Sequence, residues 1–293
     1  MHSTGYRIST ASRIVRRILK MIICWIKHPV LSLRLCDQLE IIRGLNFSQR
    51  WHISAFNKTQ PACLRTPPAI PASNPLMEYF MEHKEGRGIW KWKHYFEIYQ
   101  KHFQKFIGNE VYILEIGIYS GGSLEMWRHY FGSQCHVYGV DIEEACRVYE
   151  NEYTQIFIGD QADPKLWKLV KERVPKIDIL IDDGGHQTMQ QIITLEEMLP
   201  FITPGGIYLC EDIIGIHNRF TSYLFGLIKS LNTNNSLPNG ADGTNAPVIP
   251  TQFQSWIKSI HFYPYVSVIE KSENPEKEFS SPKQGTEWQP IKF

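Results

Sequence analysis

Five short apolar runs, each carrying a glycine or an acid at or one residue before its end, constrain this chain more than any other feature. They are VYILEIG (111–117), HVYGVDI (136–142), QIFIGD (155–160), IDILIDD (177–183) and GGIYLCED (205–212). A run that is apolar on both sides of its backbone is a strand buried on both faces. Between the runs lie segments with apolar residues at helical spacing: SLEMWRHYF (123–131), the stretch from Asp163-Pro164 through Arg173, and roughly Met189–Met198. Strands alternating with helices imply a parallel sheet covered on both faces. The tail adds SIHFYPY (259–265) and VSVIEKS (266–272), separated by one tight bend, which reads as a closing antiparallel hairpin. The expected fold is α/β and Rossmann-like. It has a mostly parallel seven-stranded sheet, helices on both faces and a C-terminal antiparallel hairpin.

Ahead of that alternation the chain changes character. No Asp or Glu precedes Asp37, whereas Arg7, Arg13, Arg16, Arg17, Lys20, Lys27 and Arg34 all fall there. Then comes PACLRTPPAIPASNP (61–75), whose five prolines fix φ and lack donors, as in an extended connector. The expected division is a basic, partly helical extension (1–60), a linker (61–75) and a main domain (76–293). The run ILKMIICWI (18–26) contains Lys20 and is shorter than the roughly 20 apolar residues a membrane-spanning helix needs. Three readings of residues 7–34 carry equal weight. They are an interfacial helix in peripheral membrane contact, an organelle-targeting segment, and a helix packed on the domain or on a second copy in a homo-oligomer. Six cysteines without a CxxC pair suit the cytoplasm. A net charge of +1 gives no reason to expect nucleic acid as a partner. Residues 231–250, rich in Asn, Gly and Pro, read as a loop, either at a site mouth or as a plain insertion.

The strand ends carry the chemistry. The first run leads into Glu115-Ile-Gly117-Ile-Tyr-Ser-Gly121-Gly122-Ser123. Glycines in a strand–helix turn let a ligand approach the backbone, and the helix N-terminus behind them offers free N–H groups. A dinucleotide fingerprint would need glycine at 117, 119 and 122, and position 119 is Tyr. A ligand without a pyrophosphate fits better, and the acid Glu115 suits a cationic one. Asp141, 24 residues after Gly117 and at the end of the second strand, can accept both hydroxyls of a ribose or cap the next helix. Gly159-Asp160-Gln161, beyond the third strand, lies beside the adenine of a nucleoside bound there. Asp160 would accept from its exocyclic amine or serve as a turn residue.

The run ILIDDGGHQ (179–187) puts Asp183 and His186 past the fourth strand, and Glu211 and Asp212 end the fifth. Neighbouring strands lie about 5 Å apart, so these acids can converge. Converging carboxylates repel unless a cation joins them. Oxygen ligands favour Mg²⁺, Mn²⁺ or Ca²⁺ over zinc. Gly184 and Gly185 would allow the sharp exit that returns His186 toward the ion as a general base. The bland alternative makes Asp183 a helix cap and the other two acids solvated strand ends. Asp182 points the other way and reads as a hydrogen-bonder to backbone.

EIGIYSGGSLEMW, YGVDI, IDDGGH and PGGIYLCED, in this order, resemble class I S-adenosylmethionine-dependent methyltransferases. More narrowly they resemble the metal-dependent macrolide sugar O-methyltransferases and the related cephalosporin hydroxylase-like group. The resemblance covers roughly residues 84–215. Within it, GRGIWKWKHYFEIYQKHF (86–103) is similar to the helix before the first strand, with GRGIWKW where the group often shows a Gly-Thr-Asp-Lys-like start. The resemblance implies that Glu115, Gly117, Ser123, Asp141 and Asp160, with Gln161 beside it, face S-adenosylmethionine. Asp183, Glu211 and Asp212 would hold Mg²⁺ or Mn²⁺, and His186 would deprotonate the hydroxyl of a small-molecule acceptor, a sugar-bearing or polyol-like secondary metabolite. Two rival readings are a nicotinamide-dependent oxidoreductase, against which the broken glycine fingerprint argues, and a non-catalytic nucleoside-binding module.

Overall fold

A computed structural model describes residues 41–43, 45, 73–233, 248–282, 284 and 285. The chain divides into two units, Met1–Pro71 and Ala72–Phe293. In the first, residues 41–43 and 45 are helical. The basic segment 7–34, residues 61–72 of the linker and residues 234–247 of the 231–250 loop lie outside the described residues. Among the described residues no helix is long and apolar enough to cross a membrane.

The second unit opens with helix α1 (Pro75–Glu82), where Asn74 caps by accepting from the Met77 amide and Pro75 takes the first turn. Helix α2 (Tyr95–Phe103) precedes the first strand. The run of strands and helices is then β1 (Val111–Ile116), α3 (Gly122–Phe131), β2 (Cys135–Asp141), β3 (Thr154–Ile158), α4 (Pro164–Arg173), β4 (Ile177–Asp182), α5 (Thr188–Met198), β5 (Ile202–Cys210) and α6 (Arg219–Leu231). A short helix α7 (Gln252–Trp256) leads into the hairpin β6 (Ile257–Tyr263) and β7 (Val266–Lys271). The link between β2 and β3 is a 3-10 helix (Glu144–Tyr149).

The seven strands form one sheet in the order β3-β2-β1-β4-β5-β7-β6. Strands β1 to β5 pair in parallel, and β7 runs antiparallel to both β5 and β6. Apolar residues alternate between two covered faces. Ile113, Ile179 and Leu209 face α1, α2 and α3, through Leu76, Tyr99 and Trp127 among others. Leu114, Leu180 and Tyr208 face α4, α5 and α6, through Trp167, Leu195 and Phe220. Burial on both sides explains why the runs show no polar alternation.

This topology positions the site. Strand order reverses between β1 and β4, and ligands of open α/β sheets bind at the carboxyl ends of strands at that switch. Ile116 pairs with Asp182, and Asp182 with Cys210. Gly117, Asp183 and Glu211 therefore stand side by side, one step beyond the last pairs.

Candidate active site

A cavity of about 770 Å³ opens over the carboxyl ends of the strands, and all ten residues singled out from the sequence line it. That size is typical of small-molecule sites.

At the β1 exit Gly117 has φ +84°, and a Cβ there would overlap the carbonyl oxygen of Asp183. Glycine is thus demanded by the close crossing of the β1 and β4 exits, in addition to any ligand. Tyr119 follows in the left-handed region at φ 50°. Asp141 secures this turn: its Oδ2 accepts from the amides of Ile118 (2.8 Å) and Tyr119 (3.1 Å), and its Oδ1 from that of Glu143 (2.9 Å). A carboxylate has about four lone-pair sites and three are taken, so Oδ1 keeps room for one ribose hydroxyl. The exposed Asp160 accepts from the Ala162 amide and from Gln190.

Gln161 behaves differently. It is buried, and its amide donates to Asp182 Oδ1 (2.9 Å) and Thr194 (3.1 Å) while accepting from the Gly185 amide (2.9 Å). It braces the β4 exit against the β3 exit and α5. Asp182 is turned away from the acids as expected, but its side chain accepts from Gln161 and from Tyr208 (3.0 Å) as well as from the Gly184 backbone. Burial raises its pKa against those three bonds. Gly184 and Gly185 owe their identity to close approach, since a Cβ at either would meet the side-chain amide of Gln161 or Gln190. The left-handed turn is taken by His186 itself, at φ 56°.

Glu115 is fully buried beneath the turn, accepting from Ser123 Oγ (2.7 Å) and the Trp127 indole (3.1 Å) on Oε2. Its Oε1 has no directed hydrogen bond and faces the Lys91 ammonium at 3.2 Å. The same ammonium lies 2.7 Å from Asp183 Oδ2 and 3.2 Å from each oxygen of Glu211. Glu211 Oε1 also accepts from Tyr99 at 2.6 Å. Burial and the charge of Asp183 push the Glu211 carboxyl well above its ordinary range. Burial works against the charge on Lys91, but Asp183, Glu211 and Glu115 together hold its pKa well above the usual value.

Outside that knot, donor atoms of Asp183, His186 and Asp212 all lie within 4.8 Å of one another. Opposed oxygens on an octahedral Mg²⁺ sit about 4.2 Å apart, so the carboxylates of Asp183 and Asp212 are spaced to hold a hard divalent ion with His186 beside it. Asp212 is also left-handed, at φ 53°, and its Oδ2 faces His186 Nε2 at 3.8 Å. Three non-glycine residues in the left-handed region, Tyr119, His186 and Asp212, thus surround one cavity. Strain of this kind costs on the order of 1–3 kcal/mol per residue and collects at functional sites.

Comparison with known proteins agrees with this geometry. No family model matches the chain. Demethylmacrocin O-methyltransferase of Streptomyces fradiae is 31% identical over 227 residues, covering 71% of this chain and 55% of that protein. The 8-demethyl-8-alpha-L-rhamnosyl tetracenomycin-C 2'-O-methyltransferase of Streptomyces olivaceus is 30% identical over 206 residues, covering 65% and 53%. The MycE methyltransferase from the mycinamycin biosynthetic pathway, solved in complex with Mg and SAH, superposes with a TM-score of 0.55 at 26% identity, covering 75% of this chain and 57% of that one. The fold is that of the class I methyltransferases, and the chain's homologues are O-methyltransferases. The chain spans about half the length of the curated relatives it matches.

Within this methyltransferase fold, sequence reasoning missed Lys91, Tyr95 and Tyr99. Tyr95 donates to Asp212 Oδ1 at 2.6 Å, Trp92 donates to the same oxygen at 3.1 Å, and Tyr99 binds Glu211. The available signal was weak. Gly88-Ile-Trp-Lys91 keeps the glycine and lysine of the Gly-Thr-Asp-Lys-like start, and Tyr95 and Tyr99 are one helical turn apart on α2.

Proposed function

We propose that this chain is an S-adenosylmethionine-dependent O-methyltransferase that methylates a hydroxyl of a sugar-bearing or polyol-like small molecule with the help of Mg²⁺ or Mn²⁺. One observation carries the reading. The glycine turn with Asp141 and the Asp183–His186–Asp212 cluster open into a single cavity. The O-methyltransferase names of the relatives and the Mg and SAH bound to MycE support it.

In this reading Asp141 Oδ1 accepts a ribose hydroxyl of the methyl donor, Asp160 borders its base, and the Gly117 turn lets the donor lie against the backbone. Glu115 and Ser123 support the floor under the sulfonium end. Asp183 and Asp212 hold the ion, while Glu211, expected from the sequence as a third ligand, is engaged by Lys91 and Tyr99. When bound, the ion would orient the acceptor hydroxyl and lower its pKa. His186, exposed on the cavity wall, takes the hydroxyl proton as the oxygen bonds the methyl carbon and the carbon–sulfur bond of the donor breaks, leaving S-adenosylhomocysteine as a neutral thioether. Most of the rate would come from holding the two reactants in line.

The test is transfer of labelled methyl from S-adenosylmethionine to a rhamnosylated or macrolide acceptor, with and without Mg²⁺. Asp183→Ala and His186→Ala should lose transfer by about a hundredfold or more while keeping affinity for S-adenosylhomocysteine. Undiminished transfer by Asp183→Ala in the presence of a chelator would remove the metal from the mechanism.

The reading extends to a cytoplasmic enzyme that acts on no nucleic acid, consistent with a net charge of +1. It includes a homo-oligomer, with the basic segment 7–34 either in peripheral contact with a membrane, serving as a targeting segment, or packed on the domain or on a second copy. Sedimentation and vesicle flotation of the full chain against one lacking residues 1–60 check both statements.

A further inference from the structure

Position 119 is where a dinucleotide fingerprint would place its second glycine, and the chain puts a tyrosine there. The turn itself asks for glycine. The Gly121 amide donates to the Ile118 carbonyl at 2.9 Å, so Tyr119 and Ser120 are its two central residues. Positive φ falls on the first of them, at 50°, and not on the second. That is the pattern of a type II′ turn, whose first central position favours glycine. The backbone of Tyr119 is nevertheless tied down on both sides. Its amide donates to Asp141 Oδ2 (3.1 Å), and its carbonyl accepts from the Cys146 thiol (3.7 Å). The side chain is the opposite case. The residue is 75% exposed and lines the cavity, and among the described residues its ring makes no hydrogen bond or aromatic contact. The fold thus bears the strain of a bulky residue without using its ring, and strain of that kind marks functional positions.

We propose, on top of the methyltransferase reading, that Tyr119 is a cover for the methyl donor, its ring closing over the bound donor beside the ribose. Three features of the geometry carry this. The root of the side chain is one hydrogen bond from Asp141, whose other oxygen keeps room for a ribose hydroxyl, so the ring stands at the nucleoside half of the cavity. The clamp from Asp141 and Cys146 fixes the direction in which the side chain leaves the turn, so little backbone ordering remains to be done at the moment of binding. An aromatic face laid on a nucleoside excludes water from it and adds stacking that a glycine cannot supply. The same bulk disfavours a dinucleotide, whose pyrophosphate needs the close backbone approach that glycine allows. Without the donor the ring is exposed and the mouth stays open for exchange. If the tyrosine were merely a turn residue, glycine in its place would relieve the strain and leave donor affinity unchanged.

The experiment measures S-adenosylhomocysteine binding to the full chain by calorimetry, and the melting temperature of the same chain without ligand. Tyr119→Gly should bind about tenfold more weakly than the wild type. Its melting temperature should rise by about 2 °C or more, because the left-handed strain is relieved. Tyr119→Phe keeps the ring and should bind within about twofold of the wild type. A purely structural role does not move affinity and stability in opposite directions. Tyr119→Gly binding within about twofold of the wild type overturns the proposal, as does a loss in Tyr119→Phe equal to that in Tyr119→Gly. If Tyr119→Gly melts lower than the wild type, glycine has loosened the turn, and Tyr119→Asn serves, since asparagine also accepts the left-handed region. Weaker binding by Tyr119→Asn at an unchanged or higher melting temperature supports the cover. Unchanged binding, or a fall in both quantities, overturns it. The wild type separates the two levels. If it fails to bind S-adenosylhomocysteine, the methyltransferase reading falls and the cover with it. If it binds and Tyr119→Gly binds equally well, only the role of Tyr119 falls.

Discussion

Tyr95 holds one oxygen of Asp212 at 2.6 Å and leaves the other facing His186 at 3.8 Å. A carboxylate fixed on one side presents its second oxygen in a set direction, which an octahedral ion requires. Removing the hydroxyl removes a bond to a charged group, worth about 1.5–3 kcal/mol. Tyr95→Phe should therefore lower Mn²⁺ affinity and metal-stimulated methyl transfer about tenfold, since 1.4 kcal/mol is one decade. Affinity for S-adenosylhomocysteine, measured by calorimetry, should stay within about twofold. An unchanged Mn²⁺ affinity would show that the Trp92 indole alone fixes Asp212.

Gly117 and Gly132 both have positive φ, at +84° and +97°, but their surroundings differ. A Cβ at Gly132 meets nothing within 4 Å, whereas one at Gly117 overlaps the Asp183 carbonyl. Gly132→Ala should cost only the conformational strain of its φ +97°, ψ −173° backbone, on the order of 1–3 kcal/mol. Gly117→Ala should cost that and about 2 kcal/mol or more for displacing the β4 exit. It should also lose metal and donor binding together, because one backbone contact positions both halves of the site. Equal losses in urea unfolding would mean that the two exits slide apart freely.

The strand tips were legible because apolar runs give way to acids at their carboxyl ends, as at Asp141, Asp183, Glu211 and Asp212, although Glu115, Asp178 and Asp182 are buried within strands. The start of β5 was less visible. Thr203-Pro204-Gly205 looks like a turn, yet Ile202 pairs with Ile177 and the register shifts before Ile179 pairs with Ile207. Lys91 was hidden for a different reason. Two of its three acid partners lie 92 and 120 residues away, and no local period links them. The place of Gln161 after β3 suggests a ligand contact. What decides its conformation is the buried carboxylate of Asp182, which only tertiary packing brings near.

The far end of α2 supports a pH prediction. His102 is buried and bridges Glu270 (2.6 Å) and the Tyr263 hydroxyl (2.8 Å) on the closing hairpin. Burial lowers its pKa from 6.5 in spite of Glu270, so the contact is a hydrogen bond of a neutral ring near neutral pH. A depressed folded pKa means that the unfolded chain binds the proton first. This contribution is fully present above pH 6.5 and is lost as pH falls below it. Glu270, whose carboxyl is also held below its usual 4.5, adds a loss of the same sign further into acid. The stability of His102→Gln, followed by urea unfolding, should fall less steeply than that of the wild type between about pH 6.5 and 5. Parallel slopes would assign the acid sensitivity elsewhere.

Asp160 and Gln161 are neighbours in sequence with opposite expected costs. Asp160→Asn changes an exposed residue whose bonds to Ala162 and Gln190 an amide oxygen can still accept. Stability should move by no more than about 0.5 kcal/mol, and any effect should appear in donor affinity. Gln161→Leu deletes three buried hydrogen bonds, to Asp182, Thr194 and the Gly185 amide, and leaves Asp182 with only Tyr208 and the Gly184 backbone. At about 1 kcal/mol for each lost bond, and more for a stranded buried acceptor, the expected destabilisation is about 3 kcal/mol or more. The loop from Asp183 to Gln187 hangs on that brace, so amide hydrogen exchange there should speed up before global unfolding. If Gln161→Leu weakens donor binding but leaves both stability and exchange unchanged, the side chain serves the ligand and not the loop.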